Sequence, residues 1–273
     1  MQASGAMTPV SGVRGTSRNP YAGDPDFMAS LARGLEVLRA FDDSPQGVSI
    51  AQLSVRTGIP RAAVRRCLYT LGTLGYVTSQ QRSFSLTPKM LLLGHAYLSS
   101  TTLVAKAQPL LDDVCQTLQE SCSLSILDGQ NIVYVARSAS RRILSVTLHV
   151  GSRLPAYCTS LGQALLSSLS EEELNAYCRG VRWHAYTAHT LASEAALRSR
   201  LELVRRQQFA LVDGELEVGL RSVAVAVRGA SGAVVAAMNA SAQSQRVPTS
   251  ELRERFLPLL RERATELSLL LRD

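Results

Sequence analysis

Two helical stretches separated by Gly58-Ile59-Pro60 constrain this chain more than any other feature. The first, IAQLSVRT, follows Ser49, whose hydroxyl can satisfy the unpaired amides of a first helical turn. Gly58 ends it, because glycine takes up the left-handed backbone that closes a helix without strain. Pro60 suits the start of the next helix, which runs to about Leu74. Upstream, DFMASLARGLEVLRAFDD places Met28, Leu31, Leu35, Leu38 and Phe41 at helical spacing. Downstream, YVTSQQRSFSLT reads as two short strands joined by a polar turn, with Tyr76 and Val77 in the first and Phe84 and Leu86 in the second. Three helices followed by a hairpin make a winged helix-turn-helix.

The charge pattern gives that unit a partner. The chain carries a net charge of +7, and it is not evenly spread. Residues 1–100 hold ten Arg/Lys against five Asp/Glu, whereas residues 101–273 hold nineteen against seventeen. No acid occurs between Asp43 and Asp112, a span containing Arg56, Arg61, Arg65, Arg66, Arg82, Lys89 and Lys106. A solvated helix ordinarily mixes Glu with Arg to gain i,i+4 pairs. On the third helix Val64, Cys67, Leu68, Leu71 and Leu74 share one face. Arg61, Ala62, Arg65 and Tyr69 share the other, with Arg66 at the edge.

This pattern predicts a recognition helix entering the major groove of double-stranded operator DNA N-terminal end first. Ala62 and Ala63 permit close approach, and Arg61 and Arg65 offer a planar fork to guanine or phosphate. Arg56 and Arg66, at the margins, suit phosphate contacts. Arg82 on the hairpin would lie along the backbone or in the minor groove. The plainer reading is a basic surface helix. It accounts less well for the preceding helix, the Gly58 turn and the hairpin arginine together.

Other classes are disfavoured. No apolar run approaches the ~18–20 residues needed to span a bilayer. Residues 1–25 lack the apolar core of a secretory signal, and their Gly, Ser, Pro and Ala content suggests a disordered tail. Five cysteines with no CxxC pair read as reduced thiols of a cytoplasmic protein. Four histidines are scattered, so no metal is expected. There is no G-x-S-x-G, phosphate loop or dinucleotide fingerprint, so neither cofactor nor enzymatic activity is expected. An enzyme built on the second half is the rival class.

Helix and strand patterns alternate after Pro88. KMLLLGHAYLSS reads as a helix, and LVAKAQPLLDDVCQTLQE as a longer one that Pro109 should kink or break. CSLSILDGQNIVYVAR reads as two strands joined at Asp128-Gly129, and ILSVTLHV as a third. Ser160 is expected to cap LGQALLSSL, Ser170 with Glu173 to form a capping box, and Ser193 to start a helix to about Gln207. FALVDGE, SVAVAVRG and AVVAAMNAS read as strands. A final helix from Thr249 or Ser250 is expected to be interrupted at Pro258. The fold class is α+β with two domains. The expected organisation is a tail over 1–25, the winged helix over 26–88, a linker helix over 89–102 and a second domain over 103–273.

SLARGLEVLRAF and SIAQLSVRTGIPRAAVRRCLYTLGTLGYV resemble the N-terminal winged helix of IclR-type transcriptional regulators. GSRLPAYCTSLGQALL and LEVGLRSVAVAVRGASGAVVAAMNAS resemble that family's effector-binding domain. YVARSASRRILSVTLHVGSRLPAYCTS is most similar to the subgroup controlling aromatic-acid catabolism through the β-ketoadipate pathway. Where members commonly carry Ser-Thr after the turn proline, this chain has Ala62-Ala63.

The resemblance implies a GAF-like α/β second domain holding a small organic acid, aromatic as in protocatechuate or 4-hydroxybenzoate, or alternatively short and aliphatic as in glyoxylate or pyruvate. It places Ser160, Leu161, Asp213, Leu220, Ser222, Asn239 and Ser241 at the pocket, with Thr147 and His149 bordering it. Arg137, Arg142 and Arg153 are candidate guanidinium partners for the acid. Half-site recognition follows protein two-fold symmetry, so a homodimer is expected, with helices 88–100 and 103–120 carrying the contact through their apolar stripes; the resemblance adds pairing of dimers into tetramers on DNA.

Overall fold

The computed structural model describes residues 23–41, 47–140 and 148–272. The chain forms two compact units, the first ending at Tyr97 and the second beginning at Leu98.

In the first unit, α1 (Ala29–Arg39), α2 (Ile50–Thr57) and α3 (Arg61–Thr73) precede a hairpin of β1 (Val77–Gln80) and β2 (Ser83–Leu86). Ser49 and Gln52 form a reciprocal capping box at the start of α2, and Gly58 closes it at φ +72°. Val48 bridges to Phe84, so the segment before α2 adds a third, one-residue rung to the wing. Val37, Val48, Leu53, Val64, Leu68, Leu71 and Val77 form the core. Leu74, expected on the buried face of α3, is 52% exposed, because the helix ends at Thr73 and Leu74 begins the turn. Lys89 donates to the Leu74 carbonyl (2.8 Å) and lies over the Tyr76 ring. It therefore serves the end of α3 as a cap. α4 (Met90–Ser100) follows and carries the boundary between the units.

The second unit is built on a six-stranded antiparallel sheet of order β5-β4-β3-β8-β7-β6. In chain order it contains α5 (Thr102–Leu118), β3 (Ser121–Asp128), β4 (Asn131–Ser138), β5 (Arg153–Pro155), a 3-10 turn (Ala156–Cys158), α6 (Ser160–Leu166), α7 (Glu171–Gly180) and α8 (Glu194–Gln207). β6 (Ala210–Asp213), β7 (Leu220–Arg228) and β8 (Val234–Gln243) follow. α9 (Thr249–Glu251) then passes through a π-helical turn (Leu252–Phe256) into α10 (Leu257–Leu270).

Four sequence expectations need correction. α5 runs unbroken through Pro109, its flanks held in the core by Leu110, Leu111 and Val114. The final helix is not interrupted at Pro258 but runs on through a π-helical turn at Leu252–Phe256 just before it, which gives room to the proline ring and its missing amide inside a continuous helix. Leu148, His149 and Val150 are not in a strand, and the rest of the expected strand lies outside the described residues. α6 is capped by Thr159, whose hydroxyl accepts from the Gly162 amide (3.1 Å), and Ser160 is its first residue.

The sheet has two unlike faces because side chains alternate along a strand. Leu124, Met238, Ala240, Val223 and Val225 pack against α5 and α10. Tyr134, Ala237 and Ala224 pack against α6, α7 and α8. On that second face the strands also carry polar residues, which form the floor of the cavity described next.

Candidate effector cavity and DNA-reading surface

Register places the polar floor in two rows. Arg137 on β4 pairs with Ser123 on β3, Ser123 with Asn239 on β8, and Asn239 with Ala224 on β7. In the next row Ser121 pairs with Ser241, and Ser241 with Ser222. Above this floor is a cavity of about 210 Å³. Its apolar walls are Leu148, Leu154, Leu161, Val212, Leu216 and Leu220, with Tyr134 among them. Its polar lining includes Arg137, Ser160, Ser222, Asn239, Ser241 and Gln243. This is the composition of a small-molecule site, mostly apolar with a few placed polar groups.

The polar groups are incompletely paired. Asn239 Nδ2 donates to Ser241 Oγ (3.1 Å), while its Oδ1 is buried without a partner among the described residues. Arg137 donates to Ser123 Oγ (3.2 Å), while its Nε is buried and likewise unpaired. A buried polar atom left unsatisfied costs about 1–3 kcal/mol. One open acceptor and one open donor therefore suit a ligand bearing both a hydroxyl and an anion. Because Thr159 does the capping, Ser160 Oγ is free to accept from Ser222 Oγ (2.8 Å), which ties α6 to the floor. Burial pushes the Tyr134 phenol up to about 12, and the same cause, with Glu215 nearby, pushes the Cys158 thiol up to about 12. Both groups stay neutral at physiological pH.

Seven of the expected effector residues line this cavity: Arg137, Ser160, Leu161, Leu220, Ser222, Asn239 and Ser241. Three do not. Arg153 pairs with Asp128 at the β3–β4 turn. Asp213 pairs with Arg221 (2.8 Å) and is exposed. His149 lies beside Ser152 Oγ (3.2 Å), also exposed. Arg142 and Thr147 lie outside the described residues. Sequence reasoning missed Tyr134, Cys158, Thr159 and the run Leu216–Gly219. The alternating Ser121, Ser123 and Ser125 would have pointed to the polar floor.

In the first unit, Arg61, Ala62, Arg65 and Tyr69 are exposed on α3, Tyr69 to 77%. Arg65 and Tyr69 line the groove between α3 and the wing. Arg66 lies in the opposite groove, against α1. Arg82 occupies the hairpin tip with φ +73°, next to Gln81 at +46°. Arg56 donates to the Ala40 carbonyl (2.9 Å), which joins α2 to the end of α1. The segment from α2 through β2 carries no carboxylate.

Two family descriptions match these units. "IclR helix-turn-helix domain" covers residues 30–81, and "Bacterial transcriptional regulator IclR C-terminal" covers residues 95–269. The chain belongs to the IclR family. It is a DNA-binding transcriptional regulator with an effector-binding domain, and not an enzyme. The Pca regulon regulatory protein of Pseudomonas putida is 50% identical over 260 residues, 94% of this chain and 89% of that protein. The p-hydroxybenzoate hydroxylase transcriptional activator of Acinetobacter baylyi is 37% identical over 247 residues, 89% of this chain and 91% of that protein. A solved structure of a PobR inducer-binding domain variant from Acinetobacter, in complex with 3-hydroxybenzoic acid, is 33% identical. It has a TM-score of 0.58 and covers 63% of this chain and 99% of that one. No helix among the described residues is long and apolar enough to cross a membrane.

Proposed function

We propose that this IclR-family regulator responds to a hydroxylated aromatic acid of the protocatechuate or 4-hydroxybenzoate class. The unsatisfied pair on the cavity floor carries this reading. The ligand carboxylate would pair with Arg137, the ring would lie against Tyr134, Leu154, Leu161 and Leu216, and a ring hydroxyl would donate to Asn239 Oδ1. The names of the curated relatives support the same class. On DNA, Arg61, Ala62, Arg65 and Tyr69 approach base edges, Arg56 and Arg66 approach phosphates, and Arg82 follows the backbone or minor groove. The working form is a cytoplasmic homodimer, paired into tetramers on the operator. Exposed Leu91, Leu92 and Leu93 on α4 supply apolar surface for the dimer contact.

Isothermal titration of the full chain with 4-hydroxybenzoate, protocatechuate, benzoate, glyoxylate and pyruvate tests the effector. Binding of the hydroxybenzoates with clear preference over benzoate is expected. Silence towards every aromatic acid, or binding of the aliphatic acids alone, overturns the reading.

A further inference from the structure

One wall of the cavity is a short run of chain, Leu216–Gly219, that belongs to no helix or strand. Its ends are fixed, and at its middle Val218 faces outward. Gly214 and Gly219 bound it at φ +69° and +87°, backbone that other residues adopt only with strain. The Gly214 amide donates to the Leu220 carbonyl (2.8 Å), and the Ser244 amide donates to the Gly219 carbonyl (2.7 Å). Between these anchors Val218 is 76% exposed, an apolar side chain held at the cavity rim.

The residue that enters this run is of the opposite character. Glu215 is a carboxylate only 3% exposed. Its Oε2 accepts from Gln163 Nε2 (2.8 Å) and its Oε1 from Arg200 Nη1 (2.7 Å). Gln163 lies on α6, three residues beyond Ser160 at the cavity. Its Nε2 also donates to the Tyr157 carbonyl (3.1 Å). Arg200 on α8 also donates to the Leu211 carbonyl (3.2 Å). The backbone is held as well, with the Thr190 hydroxyl donating to the Glu215 carbonyl and the Thr187 hydroxyl to the Gly214 carbonyl (2.7 Å). A buried charge this well paired is costly to break and fixes geometry more than it adds stability. Here the geometry it fixes is the separation of two cavity walls, α6 and the 216–219 run.

We infer that Glu215 is a positioning residue for effector binding, clasping the 216–219 run to α6 and α8 so that Val218 and Leu216 close over a ligand Glu215 never touches. The inference rests on the reading of this cavity as the effector site.

The test uses the full chain and two readouts, amide exchange of segment 214–220 without ligand and titration with 4-hydroxybenzoate. Glu215→Gln keeps the shape but turns one acceptor into a donor facing donors. Exchange of 214–220 should rise, and affinity should fall about tenfold, the scale of one lost charge-assisted hydrogen bond. Val225→Ala, a cavity on the opposite face of the sheet, controls for general loss of stability and should leave both readouts unchanged. Unchanged exchange in Glu215→Gln, or faster exchange with wild-type affinity, overturns the inference. If Glu215→Gln does not fold, Thr190→Val removes the backbone tether and is judged by the same two readouts. If the wild-type chain ignores the acid, the effector reading has failed, and exchange of the ligand-free chain alone decides whether Glu215 holds the run.

Discussion

Replacing Gly162 by alanine sets two effects of opposite sign against each other. Gly162 lies in α6, where alanine would ordinarily stabilise the helix by about 1 kcal/mol. A Cβ there would overlap the Ala156 carbonyl oxygen and Cα and lie 2.5 Å from its carbonyl carbon. Ordinary carbon contacts sit at about 3.5 Å or more, so the backbone must give by about 1 Å. Neither partner can swing aside, because the obstacle is main chain and both residues are buried in the second unit. Overpacking of a dense core costs about 1–3 kcal/mol and occasionally more. With no flexible side chain to yield, the upper end applies, and the net loss should be about 2 kcal/mol. For a unit of this size that lowers the melting temperature by about 4–8 °C. The single tryptophan, Trp183, stacks edge-on against Tyr157, the neighbour of Ala156, and reports the transition by fluorescence during urea or thermal unfolding. A Gly162→Ala chain that melts at or above the wild-type temperature would refute the reasoning, because helix propensity alone predicts that result.

Three further outcomes are expected. Thr159→Ala should lower stability by about 1 kcal/mol through loss of the α6 cap, whereas Ser160→Ala should chiefly weaken effector binding; chemical unfolding beside calorimetric titration separates the two, and reversed behaviour would reassign the cap. Arg65→Ala should cost about 1–3 kcal/mol of operator affinity and relax sequence preference, while Arg82→Ala should weaken all sequences alike and flatten the salt dependence; gel shifts at several salt concentrations decide. Alkali should destabilise the second unit. Cys158 and Tyr134 are held up to about 12 from ordinary values of 9.0 and 10.0, so the unfolded chain loses these protons first. Their contribution is intact below pH 9 and is lost as pH climbs towards 12. A melting temperature that is flat or rising between pH 9 and 10.5 would contradict this.

What was legible in the sequence follows the range of the forces involved. The first unit is written in local chemistry. The Ser49 cap, the Gly58 stop and the polar hairpin turn each act within a few residues, and each is found as expected, with Gln52 completing a capping box that was not foreseen. The capping box of Ser170 with Glu173 and the Ser193 cap are local in the same way. The α6 cap shows where local reasoning stops. Thr159 and Ser160 are adjacent hydroxyls, and only the preceding 3-10 turn decides which one caps. The cavity floor needed still longer reach, because Ser123 meets Asn239 only through pairing of strands far apart in sequence. Arg153 was chosen by residue type and Asp213 by the resemblance, and each instead joins an ion pair that its own turn or strand pairing brings close. Glu215 left no trace in sequence periodicity, since a buried acid in a loop becomes visible only with Gln163 and Arg200 around it.

The alternation that gives the sheet one aliphatic side and one hydroxyl-rich side has an evolutionary corollary. Residues such as Asn239 and Ser123 project away from the layer that holds α5 and α10 to the strands. On the proposed reading of the cavity, exchanging those that line it, such as Asn239, would alter what the protein tastes without disturbing how it is assembled. A lineage can therefore drift from one metabolite to another through a handful of substitutions on one side of a scaffold whose other side stays under unchanged constraint.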